Sequence, residues 1–411
     1  MVNESLSVEK TASTQIANIR TDVAIVGAGL VGMAAAIALH EAGFSVVLID
    51  SQTPKTTRDN WDTRIYAISP NNVAWLQKLG VWPYIDIARI AEMQTMLLMD
   101  DSESSALVLC AEDVNQDSLG IILESCNLGH ALLQRILSLN IATMFNAPCN
   151  ALNIDASSAT LEVLDSIFKS TLLIAADGAN SWVRKQMNIS VQQKPYEQVA
   201  IVANFEVKNP PEQIARQWFT QDAHAKNSIL AWLPLASVED KHYISIVWSV
   251  SNQYAQELMQ LTDSGFTHEV SLLGGDALGE MLLLTPRATF PLTLQKAEAL
   301  YQDCAVLLGD AAHVIHPMAG QGMNLGFRDV IDLVKVITEK NSYQQLNDRN
   351  LLNQYMRSRK ADLFNMQLLT DGLFQLFASQ NSLIKKARQW GFAATKLQLI
   401  KKQLVAFAIK Q

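Results

Sequence analysis

The chain has 411 residues, 49% of them hydrophobic and 18% charged, which is enough for two or three domains with a substantial core. Its 11 prolines, 18 glycines and four cysteines exclude wholesale disorder, a collagen-like repeat and a disulfide scaffold. With 32 basic against 40 acidic residues the net charge is -8, so nucleic acid is not an expected partner.

Residues 1–20 are polar, lack the apolar stretch of a signal peptide and read as a flexible tail. The longest apolar run, 23–39, contains three glycines and is followed at once by His40 and Glu41. It reads as a buried core segment and not as a membrane span. Within this region, residues 22–26 (DVAIV) form a strand, 27–32 (GAGLVG) a turn, 33–42 a helix ended by Gly43, and 45–50 a second strand. Such a strand–turn–helix–strand unit requires a parallel sheet. Residues 71–79 and 129–139 read as helices, and 170–176 as a strand ending at Asp177-Gly178.

The texture changes between 195 and 292, where apolar and aromatic runs begin at Val199, Ser228, His242 and Ala288. Strands without long helices between them indicate an antiparallel sheet. Parallel texture returns at 304–308, followed by Gly309-Asp310, and the chain reads as helical from Asp329 onward. The fold class is α/β. A discontinuous Rossmann-like domain spans 21–194 and 293–345, an antiparallel-sheet substrate domain spans 195–292, and a helical C-terminal region spans 346–411.

GAGLVG is a dinucleotide-binding pattern. Gly27 makes the tight turn, Gly29 admits a pyrophosphate to the backbone, and Gly32 permits close helix–strand contact; Ala28, Leu30 and Val31 complete the loop. Asp50 ends the second strand, 18 residues past Gly32, where a carboxylate takes the adenosine ribose hydroxyls. This half does not separate FAD from NAD. The loop 311–326, with three glycines at the start of a helix, can stabilise negative charge on a flavin's pyrimidine edge, and Asp310 is placed for a sugar-alcohol hydroxyl.

Residues 316–329 match, at every fixed position, His-Pro-x-Ala-Gly-Gln-Gly-x-Asn-x-Gly-x-x-Asp. In this motif the chain resembles the class A flavoprotein aromatic hydroxylases with the p-hydroxybenzoate-hydroxylase-like fold, and among them the ubiquinone-biosynthesis hydroxylase family. DTRIYAIS around Arg64, ADGANSWVR from Ala176, YMRSRKAD from Tyr355 and TDGLFQLF from Thr370 extend the likeness over residues 21–380. The resemblance implies FAD, with its ADP half on the fingerprint glycines and Asp50 and with Arg64 close to the nucleotide. It puts Asp177 and Gly178 near the pyrophosphate, Gly309 and Asp310 near the ribityl chain, and Pro317, Gly320, Gln321, Gly322, Met323 and Asn324 along the flavin ring. The chain departs from the family where Glu-Asn is followed four residues later by Gln: here Glu124 precedes Ser125, and the Gln position is Gly129.

The resemblance implies ring hydroxylation of a polyprenylated phenol or quinol intermediate of ubiquinone biosynthesis by O2, through a flavin C4a-hydroperoxide, with NAD(P)H as reductant. Because the flavin carries the bond chemistry, no side chain is named as an obligatory acid or base. Hydroxylation of a soluble aromatic acid, a non-catalytic flavoprotein scaffold and an NAD-dependent dehydrogenase are the rival readings. His313 and His316 lack a third ligand at metal spacing, so no metal is expected. The four cysteines read as buried reduced thiols, and Trp218, Trp232 and Trp248 as core. Residues 383–411 carry seven basic residues and no acid, with Leu397, Ile400, Leu404 and Phe407 at helical spacing. That segment suits docking on an anionic membrane surface or on other ubiquinone-biosynthesis proteins, or packing on the body. A cytoplasmic protein, peripheral on the inner face of the membrane, is the expectation.

Overall fold

The computed structural model describes residues 17–57, 60–100, 106–275, 277–315 and 321–378. Strand β1 (Ala17–Val26) leads through the glycine turn into α1 (Leu30–Glu41), and β2 (Val46–Ile49) follows. Helix α1 is apolar nearly all round and buried from Leu30 to Leu39 except at Val31, as a helix clasped between layers must be. Gly43, at φ +89°, ends it in the left-handed conformation that glycine favours. Next come β3 (Ile65–Ile68), α2 (Pro70–Lys78), β4 (Ala91–Met93), β5 (Thr95–Asp100), β6 (Ala106–Cys110), β7 (Gly120–Glu124) and α3 (Ser125–Ser138). The chain continues as β8 (Ala142–Met144), β9 (Cys149–Ile154), β10 (Ala159–Val163), β11 (Ser166–Ala175) and the short α4 (Trp182–Gln186). Four long strands follow: β12 (Val191–Val207), β13 (Ile214–Gln221), β14 (Asn227–Val238) and β15 (Lys241–Ser251). The remainder is α5 (Asn252–Gln260), α6 (Asp263–Leu272), β16 (Met281–Leu283), β17 (Ala288–Ala297), β18 (Tyr301–Gln302), β19 (Ala305–Leu307), β20 (His313–Val314), α7 (Gln321–Thr338) and α8 (Arg349–Ala378).

The first sheet has a parallel centre ordered β19-β11-β1-β2-β8, flanked by antiparallel β18, β10 and β9. Its strands are Val-, Ile- and Leu-rich because helices cover them. Ala17–Arg20, assigned to the tail from sequence, are instead strand. They pair in register with Ser166–Lys169, so backbone bonds to β11 hold them although their side chains are exposed.

The second sheet has nine strands, ordered β20-β17-β12-β15-β14-β13-β5-β6 with β16 on β12, and is antiparallel except between β13 and β5. It recruits β5, β6 and β20 from outside 195–292, and α5 and α6 interrupt that segment. A third, three-stranded sheet, β3-β7-β4, packs against β14 of the second.

Alternation gives the nine-stranded sheet two buried faces. On the far face Trp218, Trp232 and Trp248 pack with Phe205 and with Phe266 and Val270 of α6, the core role expected of the three tryptophans. On the near face Ala215, Phe219 and Ile229 pack with Met93 and Ile122. The far face closes tightly at Gly274, where a Cβ would lie 1.9 Å from Trp232 Cη2. Trp232 is 1% exposed and held edge-on by Trp218 at 4.7 Å, so it cannot retreat. Gly274→Ala should therefore cost about 1–3 kcal/mol by overpacking; an unchanged urea midpoint would contradict this.

Candidate functional site

Strands β2 and β11 flank β1 on opposite sides, and in open α/β sheets ligands bind beyond the strand ends at such a reversal. A cavity of about 760 Å³ opens there. Of the residues singled out in the sequence, Gly27, Ala28, Gly29, Leu30, Val31, Asp50, Arg64, Asp177, Gly178, Asp310, Gly322 and Met323 line it. They come from six separated points of the chain that the fold gathers to one edge of the sheet.

Local geometry explains the glycines. Gly27 has φ +107°, and a Cβ on it would sit 2.3 Å from Ala176 O. A Cβ on Gly32 would lie 1.9 Å from Gly27 O, so α1 can approach β1 only without one. Gly29 is the N-cap of α1 and offers no side-chain cap, and nothing described lies within 4 Å of its Cβ position. The first N–H groups of α1 therefore face an open concavity suited to phosphate.

The carboxylates are held by backbone. Asp50 Oδ2 accepts from Ala28 N at 2.6 Å and Oδ1 from Gln52 N at 2.8 Å, and each oxygen keeps a lone pair for a ribose hydroxyl. Asp177 Oδ2 accepts from Trp182 N and Val183 N, while its Oδ1 is buried with no partner among the described residues. A cradle of bare glycines, an uncapped helix start and an orphaned carboxylate oxygen fit a dinucleotide carrying phosphates and sugar hydroxyls.

Asp310 is exposed to the cavity, with dense protein on its other sides. Burial pushes its carboxyl above the usual range, opposed by the charges of His313 and Arg64. Burial likewise raises the phenol of Tyr66, opposed by the charge of Arg64, so it stays protonated. Burial also pushes the thiols of Cys126, Cys149 and Cys304 up to about 12, which removes thiolate chemistry at neutral pH.

The remaining site residues lie elsewhere. Gly32 sits behind the loop, and Gly309, at φ +57°, packs against Val31. Asn324 is buried away from the cavity: its Oδ1 accepts from Ser69 N and Asn72 Nδ2, and its Nδ2 donates to Ala67 O. It thus ties α7 to β3 and α2. Gln321 opens α7, while Pro317, Gly320 and His316 lie outside the described residues, as does the basic segment 383–411.

Sequence reasoning missed Lys55, Tyr66, Ser125, Cys149, Asn180 and Trp182, which also line the cavity. Helix α3 starts at Ser125 and not at Gly129; Glu124 is at its N-cap position without a side-chain cap bond, and Asp62 Oδ2 accepts from Cys126 N in the first turn. The Glu124 carboxylate accepts from Arg89 through both oxygens, at 2.7 Å each, and from Asp62 N. Gly129 faces the cavity, where a Cβ would meet Lys55 O at 3.4 Å.

A second cavity, of about 270 Å³, adjoins the first and shares Tyr66, Asp310, Gly322 and Met323 with it. The near face of the nine-stranded sheet forms its opposite wall through Ala215, Ile229, Ala231, Leu233 and Val247. Beneath both cavities Asp329 accepts from Gly309 N at 2.8 Å, His313 Nε2 at 2.7 Å and Arg359 Nε at 2.6 Å. Among the described residues no helix is long and apolar enough to cross a membrane.

Comparison with known proteins agrees with this geometry. Residues 20–363 match the family described as FAD binding domain. The chain is 32% identical over 396 residues to 3-demethoxyubiquinol 3-hydroxylase of Escherichia coli, covering 95% of this chain and 98% of the relative. It is 30% identical to the mitochondrial ubiquinone biosynthesis monooxygenase COQ6 of Homo sapiens, covering 95% and 92%. Among solved structures, p-nitrophenol 4-monooxygenase PnpA of Pseudomonas putida superposes with a TM-score of 0.74 at 16% identity, covering 95% of this chain and 97% of that one, which shows the shared fold. The gathered glycine cradle, the second cavity beside it and these matches together establish that the chain belongs to the FAD-binding-domain family, as an FAD-dependent monooxygenase of the ubiquinone-biosynthesis hydroxylase group.

Proposed function

We propose that the protein hydroxylates the aromatic ring of a polyprenylated phenol or quinol on the route to ubiquinone, with O2 as co-substrate and NAD(P)H as reductant. The observation that carries this reading is the small, largely apolar cavity that shares a wall with the dinucleotide cavity. When bound, FAD supplies the reducing equivalents and the activation of O2. The chain's own task is to hold, orient and keep dry.

In this reading the start of α1 and Gly29 take the pyrophosphate, Asp50 the adenosine ribose and Asp310 the ribityl hydroxyls, with Asp177 and Gly178 nearby. Arg64 lies beside the nucleotide, and Gly322 and Met323 lie at the junction where the flavin ring meets the substrate. Pro317, Gly320 and Gln321 are proposed for the same ring on the strength of the motif alone. Tyr66, a protonated phenol at the junction, keeps water out and directs a hydrogen bond inward. The near face of the nine-stranded sheet covers the ring, and the basic segment 383–411 brings the enzyme to an anionic membrane surface where such substrates reside.

A soluble aromatic acid is the second reading: a similarly folded protein, PqsL of P. aeruginosa, is known in complex with 2-aminobenzoylacetate. Recognition of a carboxylate calls for an arginine aimed into the pocket. Arg216 lines the second cavity, but strand alternation turns its side chain to the face of Trp218 and Trp232, and its Nη1 donates to Pro211 O. The test is the FAD-loaded enzyme with NADPH, O2 and a geranyl-bearing demethoxyubiquinol. A product heavier by one oxygen atom is expected. Hydroxylation of a benzoic acid without reaction of the geranyl compound would overturn the reading.

A further inference from the structure

The second cavity contains a detail that its apolar lining does not explain. Two polar side chains face into it and have no hydrogen-bond partner among the described residues: Gln217, 8% exposed, and Ser249, 3% exposed. Their direction follows from strand register. Gln217 is opposite Ala231, and Ser249 is opposite Ile229; both partners line the cavity wall. The neighbouring residues Trp218 and Trp248 belong to the opposite face.

Strand geometry puts Gln217 and Ser249 on either side of β14, with their Cα atoms roughly 12 Å apart. Between them lies Ala231, whose methyl leaves a shallow, flat floor. Tyr66 and Met323 close the other side, toward the dinucleotide cavity. Neither side chain bonds to a described residue, and their polar atoms open onto the cavity, so an amide and a hydroxyl at two ends of one pocket point to a ligand that completes their bonds.

We propose that Gln217 and Ser249 recognise the ring oxygens of the substrate, with the ring lying on Ala231 between them; this rests on the function proposed above. An amide both donates and accepts, as does a hydroxyl, so the pair can serve hydroxyl and methoxy substituents alike. The cavity volume, about 270 Å³, falls just below the roughly 300–1,000 Å³ of pockets that take whole drug-sized ligands. Only the benzenoid head therefore enters, and the prenyl tail stays outside this cavity. Head recognition from the sheet side consequently falls to these two polar groups.

The experiment uses FAD-loaded enzyme, anaerobically, with two probes followed by the change each causes in the visible flavin spectrum. One probe is geranyl-bearing demethoxyubiquinol; the other is a geranyl-bearing toluene that lacks the ring oxygens. The unaltered chain should prefer the oxygenated probe by about tenfold to a hundredfold. Gln217→Leu should abolish most of that preference while binding the toluene at least as tightly. Ser249→Ala should reduce the preference, and Ser249→Thr, which keeps the hydroxyl, should restore it. Retained flavin colour and an unchanged Tm guard against misfolding; if Gln217→Leu fails that check, the Ser249→Ala and Ser249→Thr pair decides. An undiminished preference in folded variants overturns this assignment alone. If the unaltered enzyme binds neither probe, the proposed function falls and this assignment with it.

Discussion

Gly32→Val is expected to yield a colourless protein. A Cβ at this position would lie 1.9 Å from Gly27 O and 3.0 Å from Gly27 C, both backbone atoms of the loop that grips the phosphates. Neither can give way without dismantling the turn, so α1 must swing off β1 and carry its N–H groups with it. We expect a loss of about 3 kcal/mol in stability and roughly a hundredfold or greater loss in FAD affinity. Gly29→Ala separates the two effects. Its backbone, at φ -70°, suits alanine, and nothing described lies within 4 Å of the added methyl. That variant should match the parent in Tm without FAD, yet bind the cofactor more weakly because the methyl occupies the approach of the pyrophosphate. Visible absorbance and calorimetric titration report both outcomes; full flavin content in Gly32→Val would show that the cradle is not where FAD sits.

The second large effect concerns a residue remote from both ligands. Asp329 is fully buried, and burial alone would raise its carboxyl. The charges of His313 and Arg359, with hydrogen bonds from His313 and Gly309 N, outweigh that and hold it below the usual range. Arg359 also reaches Asp332 and Asp362, and Arg328 pairs with Asp362. Arg359→Met conserves the bulk of the side chain but strands the carboxylate, which should cost about 3–5 kcal/mol and lower Tm by roughly 5 °C. The pH dependence has a definite sign. A carboxylate whose folded pKa is depressed contributes stability above its unfolded value, near 3.9, and that contribution disappears as pH falls through the lower folded value. Without Arg359 the carboxyl rises, so the acid limb of the stability curve should move to higher pH. Melts across an acid series check this; an unshifted acid limb would exclude Asp329 as the group concerned.

What could be read from the residues follows from how local the causes are. GAGLVG, Asp50 and the β-branched runs at 22–26 and 170–176 announce themselves because each turn and strand is specified by its own few residues. The nine-stranded sheet was legible only in its middle. Strand β5 (TMLLMD) is weak in β-branched residues, and it becomes a strand because β13, more than a hundred positions later, lies beside it. Strand β13 carries Gln217 between Ala215 and Phe219, since that face meets a ligand cavity as well as a core. Gln217 and Ser249 were invisible for the same reason: a polar residue in a strand looks solvent-facing until the sheet opposite it is known. Arg359 was quoted only within YMRSRKAD, and its partner Asp329 within the glycine motif. Nothing in spacing joins two charges that meet through helix packing.

The order of pairing in the two large sheets has a consequence for biosynthesis. β1 leaves the ribosome first, yet its neighbour β11 appears about 140 residues later, and β19, which completes the parallel layer, more than 280 residues later. The other layer begins at β5 and is closed only by β20. Neither layer can therefore mature while the other is still being translated, and a fragment cut at any internal border would expose raw strand edges. A nascent chain of this kind has to be shielded until nearly its whole length has emerged, and both layers then lock at about the same time.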